Sequence, residues 1–187
     1  LIHGYEEWGE ELVDRLRGMY AFVIWDREQK RLFGARDMFG IKPFYYAKMN
    51  DCFLFGSEIK SFLEHPKFDK VFNEDALANY LSFQFVPTNE TFFKGVYCLQ
   101  PGHYFVYENG EINITRYFEP RFTGDTDKTF EEIVDEVEAV MKESVAAHKI
   151  SDVEVGSFLS SGVDSSYIAC LANVDKTFTV GFKQKKY

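Results

Sequence analysis

The stretch from Val153 to Ser166 constrains this chain more than any other. It reads Val153-Glu154-Val155-Gly156-Ser157-Phe158-Leu159, then Ser160-Ser161-Gly162-Val163-Asp164-Ser165-Ser166. An apolar strand runs into a tight bend of Ser and Gly, and a helix opens with Asp and Ser. Small residues let backbone N–H groups approach an anion, and a helix start adds unpaired N–H groups and the positive end of its dipole. The hydroxyls of Ser160, Ser161 and Ser165 add hydrogen-bond capacity. Asp164 would repel phosphate unless a cation stood between them, so the pattern assigns a metal ion to that carboxylate. The stretch is not a Walker A loop, because the sequence has no Gly-Lys-Ser or Gly-Lys-Thr. The competing explanation is an ordinary strand–turn–helix connection in which Ser or Asp is an N-cap and nothing more.

The segments before this stretch read differently. Residues 6–16 have helical periodicity, with Trp8, Leu12, Val13 and Leu16 on one side and Gly18 as a stop. Short strands are expected over 19–25, 32–35, 44–48 and 52–55, with a turn at Asn50-Asp51. Residues 58–64 form a short helix closed by His65-Pro66, and Asn73 caps a second helix that runs to Phe83. Pro101-Gly102 and Asn109-Gly110 bracket a hairpin of strands 103–107 and 112–117. Residues 119–128, with Pro120 and Gly124, read as a linker. A long helix then begins at Thr129, with Phe130, Ile133, Val134, Val137, Val140, Met141 and Val145 as an apolar stripe read as core packing. Strand 153–159, helix 165–173 and strand 177–182 complete a β-loop-α-β unit with a parallel sheet.

Composition narrows the function. Among 187 residues the net charge is −9, against the basic face that nucleic-acid binding needs. Lys183, Lys185 and Lys186 read as a solvated terminus. Cys52, Cys98 and Cys170 make no CxxC or zinc pattern and are expected to be buried free thiols of a reducing compartment. No apolar run is long enough to span a bilayer, and no signal peptide is visible, so the expected location is cytoplasmic, with no membrane partner. The chain opens on Leu1, and it is read as an internal piece of a longer protein.

Several segments resemble a known domain. Leu16-Arg17-Gly18-Met19-Tyr20-Ala21-Phe22 with Ile24-Trp25-Asp26 resembles the core strand of N-terminal-nucleophile glutamine amidotransferases. Ala35-Arg36-Asp37, Gly40-Ile41-Lys42-Pro43, Phe44-Tyr45-Tyr46, Ser57-Glu58-Ile59-Lys60 and Leu99-Gln100-Pro101-Gly102 match further signatures of that domain. The bend at Ser160 resembles the Ser-Gly-Gly-x-Asp-Ser pyrophosphate motif of enzymes that adenylate a substrate. Both in this order resemble the glutamine-dependent asparagine synthetases.

That resemblance implies an α+β fold. A layered β-sandwich glutaminase part (incomplete) over residues 1–118 is followed by a linker at 119–128. The start of an α/β parallel-sheet ATP-pyrophosphatase-like domain follows at 129–187. It also implies ammonia release from glutamine, and amidation of aspartate through an aspartyl-adenylate with Mg-ATP. The small-molecule substrates are then aspartate, glutamine and ATP, and the cofactors are ATP and Mg. By match to the motif, Ser160, Gly162, Asp164 and Ser165, with Ser166 beside them, are assigned to the phosphates. Asp164 is assigned to Mg through pyrophosphate, and Leu159 and Val180 to the adenine pocket. Ser161 stands where the motif has its first Gly; because the other positions are intact, its backbone angle is expected to suit a non-Gly residue.

The family's nucleophilic N-terminal Cys, its Asn-Gly oxyanion segment and its glutamine-binding residues match nothing here and are expected upstream, so no catalytic residue is assigned. Most of the aspartate pocket is expected downstream. Cys52 is interior and cannot act through a free amine. Arg36, Asp37 and Lys42 are read as a structural ion pair that sets a turn rather than as catalytic groups, and Glu58 and Lys60 likewise. The isolated chain is expected to be inactive. Its incomplete sheet exposes edges, so order depends on further chain or on a homodimer. A paralogue that amidates or cyclises another carboxylate, or a non-catalytic packing module, remains open at this stage.

Overall fold

A computed structural model describes residues 1–49, 52–124 and 127–181. The Asn50-Asp51 turn, the middle of the linker at Asp125 and Thr126, and the end from Phe182, with Lys183, Lys185 and Lys186, lie outside the described residues. Two compact units divide between Arg121 and Phe122.

In the first unit the amphipathic segment splits. Helix α1 spans Ile2–Trp8, and a 3-10 helix continues over Gly9–Arg15. The break falls at Gly9, whose φ of 57° takes it out of the helical region. Strands β1 (Ala21–Asp26) and β2 (Arg31–Arg36) follow, then β3 (Tyr45–Lys48) and β4 (Phe53–Gly56). A 3-10 helix at Ile59–Glu64 stands where a short helix is expected. Helix α2 (Glu74–Phe83) and strands β5 (Val96–Cys98), β6 (His103–Glu108) and β7 (Glu111–Arg116) complete the unit. Asn73 does occupy the N-cap of α2, but its side chain does not cap. Its amide donates to Glu90 Oε2 and to the Thr91 carbonyl, each at 3.1 Å, which ties the helix start to a distant loop.

Two antiparallel sheets result, ordered β1-β2-β6-β7 and β4-β3-β5. Period-two alternation sends each strand's side chains to two faces. From β2 and β1, Phe33, Ala35 and Ile24 pack with Tyr5, Leu12 and Val13 of the helical segment. From the other face, Phe105 meets Phe44 and Tyr46 of the second sheet. Phe53 and Phe105 lie 5.5 Å apart and Phe53 stacks on Tyr107 at 4.4 Å, so aromatic rings join the sheets. Gly34 allows this closure, because a Cβ there would meet the Phe105 ring at 2.3 Å. A third cluster, Ala47, Phe62 and Val96, covers the outer face of the second sheet. Asn109 and Gly110 both take positive φ, 52° and 80°, as a two-residue β6–β7 turn requires.

The second unit is smaller. Helix α3 (Phe130–His148) starts with a capping box, in which Thr129 Oγ1 accepts from the Glu132 N–H and the Glu132 carboxylate accepts from the Thr129 N–H. Those bonds hold the Glu132 carboxyl below its ordinary pKa. Strand β8 (Ser157–Phe158), helix α4 (Val163–Ala172) and strand β9 (Thr177–Phe178) follow, with β8 and β9 parallel. Both strands are shorter than the apolar runs that contain them, because β9 is the only pairing partner of β8 among the described residues. The α3 stripe differs from expectation too. Met141 and Val145 are half-buried and line a cavity of about 240 Å³ with Ile168 and Ala172 of α4. The rest of the stripe is open, with Phe130 76% exposed, and no residue of α3 is fully buried. Cys170 is exposed rather than buried, and Cys52 and Cys98 are half-buried.

Candidate functional site

The bend between β8 and α4 forms as its residues dictate. Gly156 lets β9 close on β8, since a Cβ there would meet the Phe178 ring at 2.9 Å and the Lys176 carbonyl at 3.2 Å. Leu159 ends the strand, its N–H donating to the Phe178 carbonyl at 2.9 Å. The chain then turns through Ser160 and Ser161, and Gly162 is the N-cap of α4. The first bond of the helix runs from the Ser166 N–H to the Gly162 carbonyl at 3.1 Å. The N–H groups of Val163, Asp164 and Ser165 precede it and have no acceptor within the helix, and Gly162 offers no capping side chain.

The hydroxyls bond locally. Ser160 Oγ and Ser165 Oγ lie 3.1 Å apart, Ser165 Oγ also receives the Ser160 N–H at 3.3 Å, and it donates to the Gly162 carbonyl at 3.1 Å. Ser161 Oγ donates to the Ser160 carbonyl at 2.6 Å. These bonds shape the bend without filling it. Around Gly162 the nearest heavy atoms to an added Cβ are Ser160 Oγ at 3.5 Å and Ser165 Oγ at 3.9 Å. Ser160, Ser161, Gly162, Asp164 and Ser166 are exposed, and Leu159 and Ser165 half-buried. The structure thus gathers Leu159 through Ser166 at one end of the β8–β9 pair. Val180 follows β9 at the same end and is 83% exposed.

Ser161 departs from expectation. Its φ of 61° lies in the left-handed region, where a Cβ is strained. The loop keeps the conformation that Gly would adopt, and the Ser161 hydroxyl bond offsets part of that cost. Thr179 is a residue that the motif does not reveal. Its hydroxyl donates to the Leu159 carbonyl at 2.8 Å, and only the parallel register of β8 and β9 brings the two together. Asp164 stands in the first turn of α4. No group of three or more His, Cys, Asp or Glu is assembled to hold a metal among the described residues. The donors therefore fit an anion held by N–H and hydroxyl groups, with a single carboxylate available to a cation that the anion itself carries.

The first unit holds a second ordered turn. Asp37, 1% exposed, accepts from the backbone N–H groups of Ile41 and Lys42 at 2.9 Å and Phe39 at 3.2 Å. Burial raises its pKa, but backbone bonds from Lys42, Ile41, Phe39 and Tyr20 outweigh it, so the carboxyl sits below its usual range. The Arg36 guanidinium donates to the carbonyls of Lys42, Gly40 and Leu99 at 2.6–2.7 Å. The pair thus sets the turn as expected but through backbone groups, and no ion pair joins Arg36, Asp37 and Lys42 among the described residues. Tyr117 donates to the Arg36 carbonyl at 2.7 Å and lies 2.8 Å from the Tyr20 hydroxyl, and burial pushes its phenol pKa up. Glu58 and Lys60 form an exposed ion pair. A cavity of about 540 Å³ lined by Tyr45, Tyr80, Phe85 and Phe93 reaches Arg36, whose charge is already committed to carbonyls.

No helix among the described residues is long and apolar enough to cross a membrane. Comparison with known proteins agrees with both halves of the motif reading. Residues 1–118 match the family model described as "Glutamine amidotransferase domain", and residues 136–187 the model described as "Asparagine synthase". The chain is 41% identical to the Bacillus subtilis protein named asparagine synthetase [glutamine-hydrolyzing] 1, over all of this chain and 30% of that protein. It is 40% identical to a putative asparagine synthetase [glutamine-hydrolyzing] of Mycobacterium tuberculosis, over 100% of this chain and 30% of that one. A Gibberella zeae protein named amidase chry2 is 32% identical over 88% of this chain and 25% of its own length. The chain thus spans about 30% of the length of the synthetases that it matches. Over residues 1–118 the chain belongs to the glutamine amidotransferase domain family, and its later part is matched by the asparagine synthase family.

Proposed function

We propose that this chain works within a glutamine-hydrolysing asparagine synthetase, an ATP-dependent carbon–nitrogen ligase. Residues 1–118 then form part of its amidotransferase domain and 119–128 the linker. Residues 129–187 open its ATP-binding domain on a doubly covered parallel sheet. The observation that carries this reading is the bend of Ser160–Ser166, an uncapped helix start at the carboxyl end of two parallel strands, following an amidotransferase domain in the same chain. The likeness to synthetases along the whole chain favours aspartate as the acid.

A carboxylate is a poor electrophile because its leaving group would be oxide. Adenylation replaces oxide with AMP, and ammonia then displaces the AMP to leave an amide. In this scheme the N–H groups at the start of α4 receive the pyrophosphate oxygens. Ser160 and Ser165 exchange their mutual hydrogen bond for phosphate oxygens, and Ser161, Gly162 and Ser166 complete the rim. Leu159 and Val180 flank the adenine. Asp164 would hold a magnesium ion, which supplies charge neutralisation at the phosphates. Keeping ammonia unprotonated requires exclusion of water between the two sites.

The test is ATP–pyrophosphate exchange by the full-length protein, with and without aspartate. Exchange is expected only with aspartate, and Asp164→Asn is expected to lower it ~10²-fold. Aspartate-independent exchange, or none, would remove the assignment. Exchange driven instead by another carboxylic acid would make the protein a paralogue with a different acceptor.

A further inference from the structure

Strands β8 and β9 begin as an ordinary parallel pair and then part. Ser157 pairs with Thr177 and Phe158 with Phe178. The Ser157 N–H donates to the Lys176 carbonyl at 3.0 Å and the Leu159 N–H to the Phe178 carbonyl at 2.9 Å, as a parallel ladder requires. The next rung of that ladder would run from the Val180 N–H to the Leu159 carbonyl. That carbonyl instead accepts the Thr179 hydroxyl at 2.8 Å. A side chain has taken the place of the backbone donor.

Two consequences follow. The Leu159 carbonyl has a partner without the next rung of the ladder. Among the described residues the Val180 N–H makes no bond to the Leu159 carbonyl, so the ladder stops at a parting between Leu159 and Val180. It lies at the carboxyl ends of parallel strands, where open α/β sheets take their ligands.

We infer that Thr179 is a positioning residue for the nucleotide: its hydroxyl ends the β8–β9 ladder one rung early and keeps open the gap that the base enters. The inference rests on the nucleotide reading above, and it adds a residue and a mechanism to it. Removing the hydroxyl frees the Leu159 carbonyl to recruit the Val180 N–H. The strands then zip by one more rung and the gap narrows. The phosphate end is held separately by the Ser160–Ser165 bonds and by α4, so it is unaffected.

The experiment compares Thr179→Val, which keeps the shape without the donor, with Thr179→Ser, which keeps the donor. Full-length protein is used, with ATP and inorganic pyrophosphate as separate ligands. For Thr179→Val the KM for ATP is expected to rise about five- to tenfold, as loss of one hydrogen bond implies. The KM for aspartate, the inhibition constant of pyrophosphate and the melting temperature are expected to stay at wild-type values. Thr179→Ser is expected to restore the ATP KM to within about twofold. Equal ATP affinity in Thr179→Val and wild type would overturn the inference, as would parallel losses for ATP and pyrophosphate, or a Ser variant as weak as the Val variant. A wild-type protein that binds no nucleotide would remove the functional reading itself, and this result is distinct from the others.

Discussion

Phe33 and Phe130 are both aromatic residues at periodic apolar positions, yet Phe33 is completely enclosed and Phe130 is 76% exposed. The contrast runs through their units. In the first, both faces of the larger sheet are covered, by the helical segment on one side and by the second sheet on the other. In the second, helix α3 has no buried residue, and Phe158 and Phe178 of the parallel pair are also exposed. Apolar periodicity states which face an element turns away from water. It does not state what covers that face. In the first unit the helical segment and the second sheet supply that cover among the described residues. In the second, the described residues supply two strands and two helices, too few to cover both sides of a sheet.

The largest expected effect tests this difference directly. Phe33→Ala should cost about 3–5 kcal/mol, because it leaves a cavity among Tyr5, Phe22 and Tyr104. Phe130→Ala should cost less than about 0.5 kcal/mol in the same chain. Both tryptophans, Trp8 and Trp25, lie in the first unit, so fluorescence during urea unfolding follows that unit alone, while far-ultraviolet circular dichroism also follows α3. Equal losses for the two variants would mean that the α3 stripe is covered in solution, and the contrast would fail.

A second test concerns the charge buried in the first unit. Asp37→Asn keeps the shape but halves the acceptor capacity for the backbone N–H groups of Phe39, Ile41 and Lys42 among others, at a cost of about 2–3 kcal/mol at neutral pH. The sign with pH follows from the lowered carboxyl pKa. A folded pKa below the unfolded value gives stability that is complete above about pH 4 and is lost as pH falls through the folded pKa. Wild type should therefore weaken in acid more steeply than Asp37→Asn. Identical acid limbs would show that Asp37 contributes nothing to the pH dependence.

These two units also differ in how much their sequence disclosed. The hairpin turn at Asn109-Gly110 and the Thr129 helix start were legible because each rests on local geometry that few residue types satisfy. The split at Gly9 and the diverted Asn73 side chain were not. A Gly inside a helical pattern is compatible with continuation or with a break, and a cap residue cannot announce that Glu90 and Thr91 will compete for its amide. At the candidate site, the Ser and Gly residues and Asp164 were visible as a linear motif. Thr179 was not, because its partner lies twenty residues away and only strand register joins them.

The smallest expected effect falls at Ser161, where motif and geometry disagree. A left-handed backbone costs a residue with a Cβ about 1–2 kcal/mol. Ser161→Gly removes that strain but loses the 2.6 Å hydroxyl bond and gives the unfolded chain more freedom, which offsets ~0.4–1 kcal/mol. The net should be a gain of about 0.5 kcal/mol or less. Ser161→Ala separates the two terms, since it keeps the strain and loses the bond. The expected stability order is Ala below Ser, with Gly equal to Ser or slightly above, read from the melting of the dichroism signal. The ATP KM of the full-length protein should follow the same order of improvement if the strained angle is the one that phosphate requires. An Ala variant as stable as Gly would show that φ at this position is free to relax, and the serine would then be an ordinary loop residue.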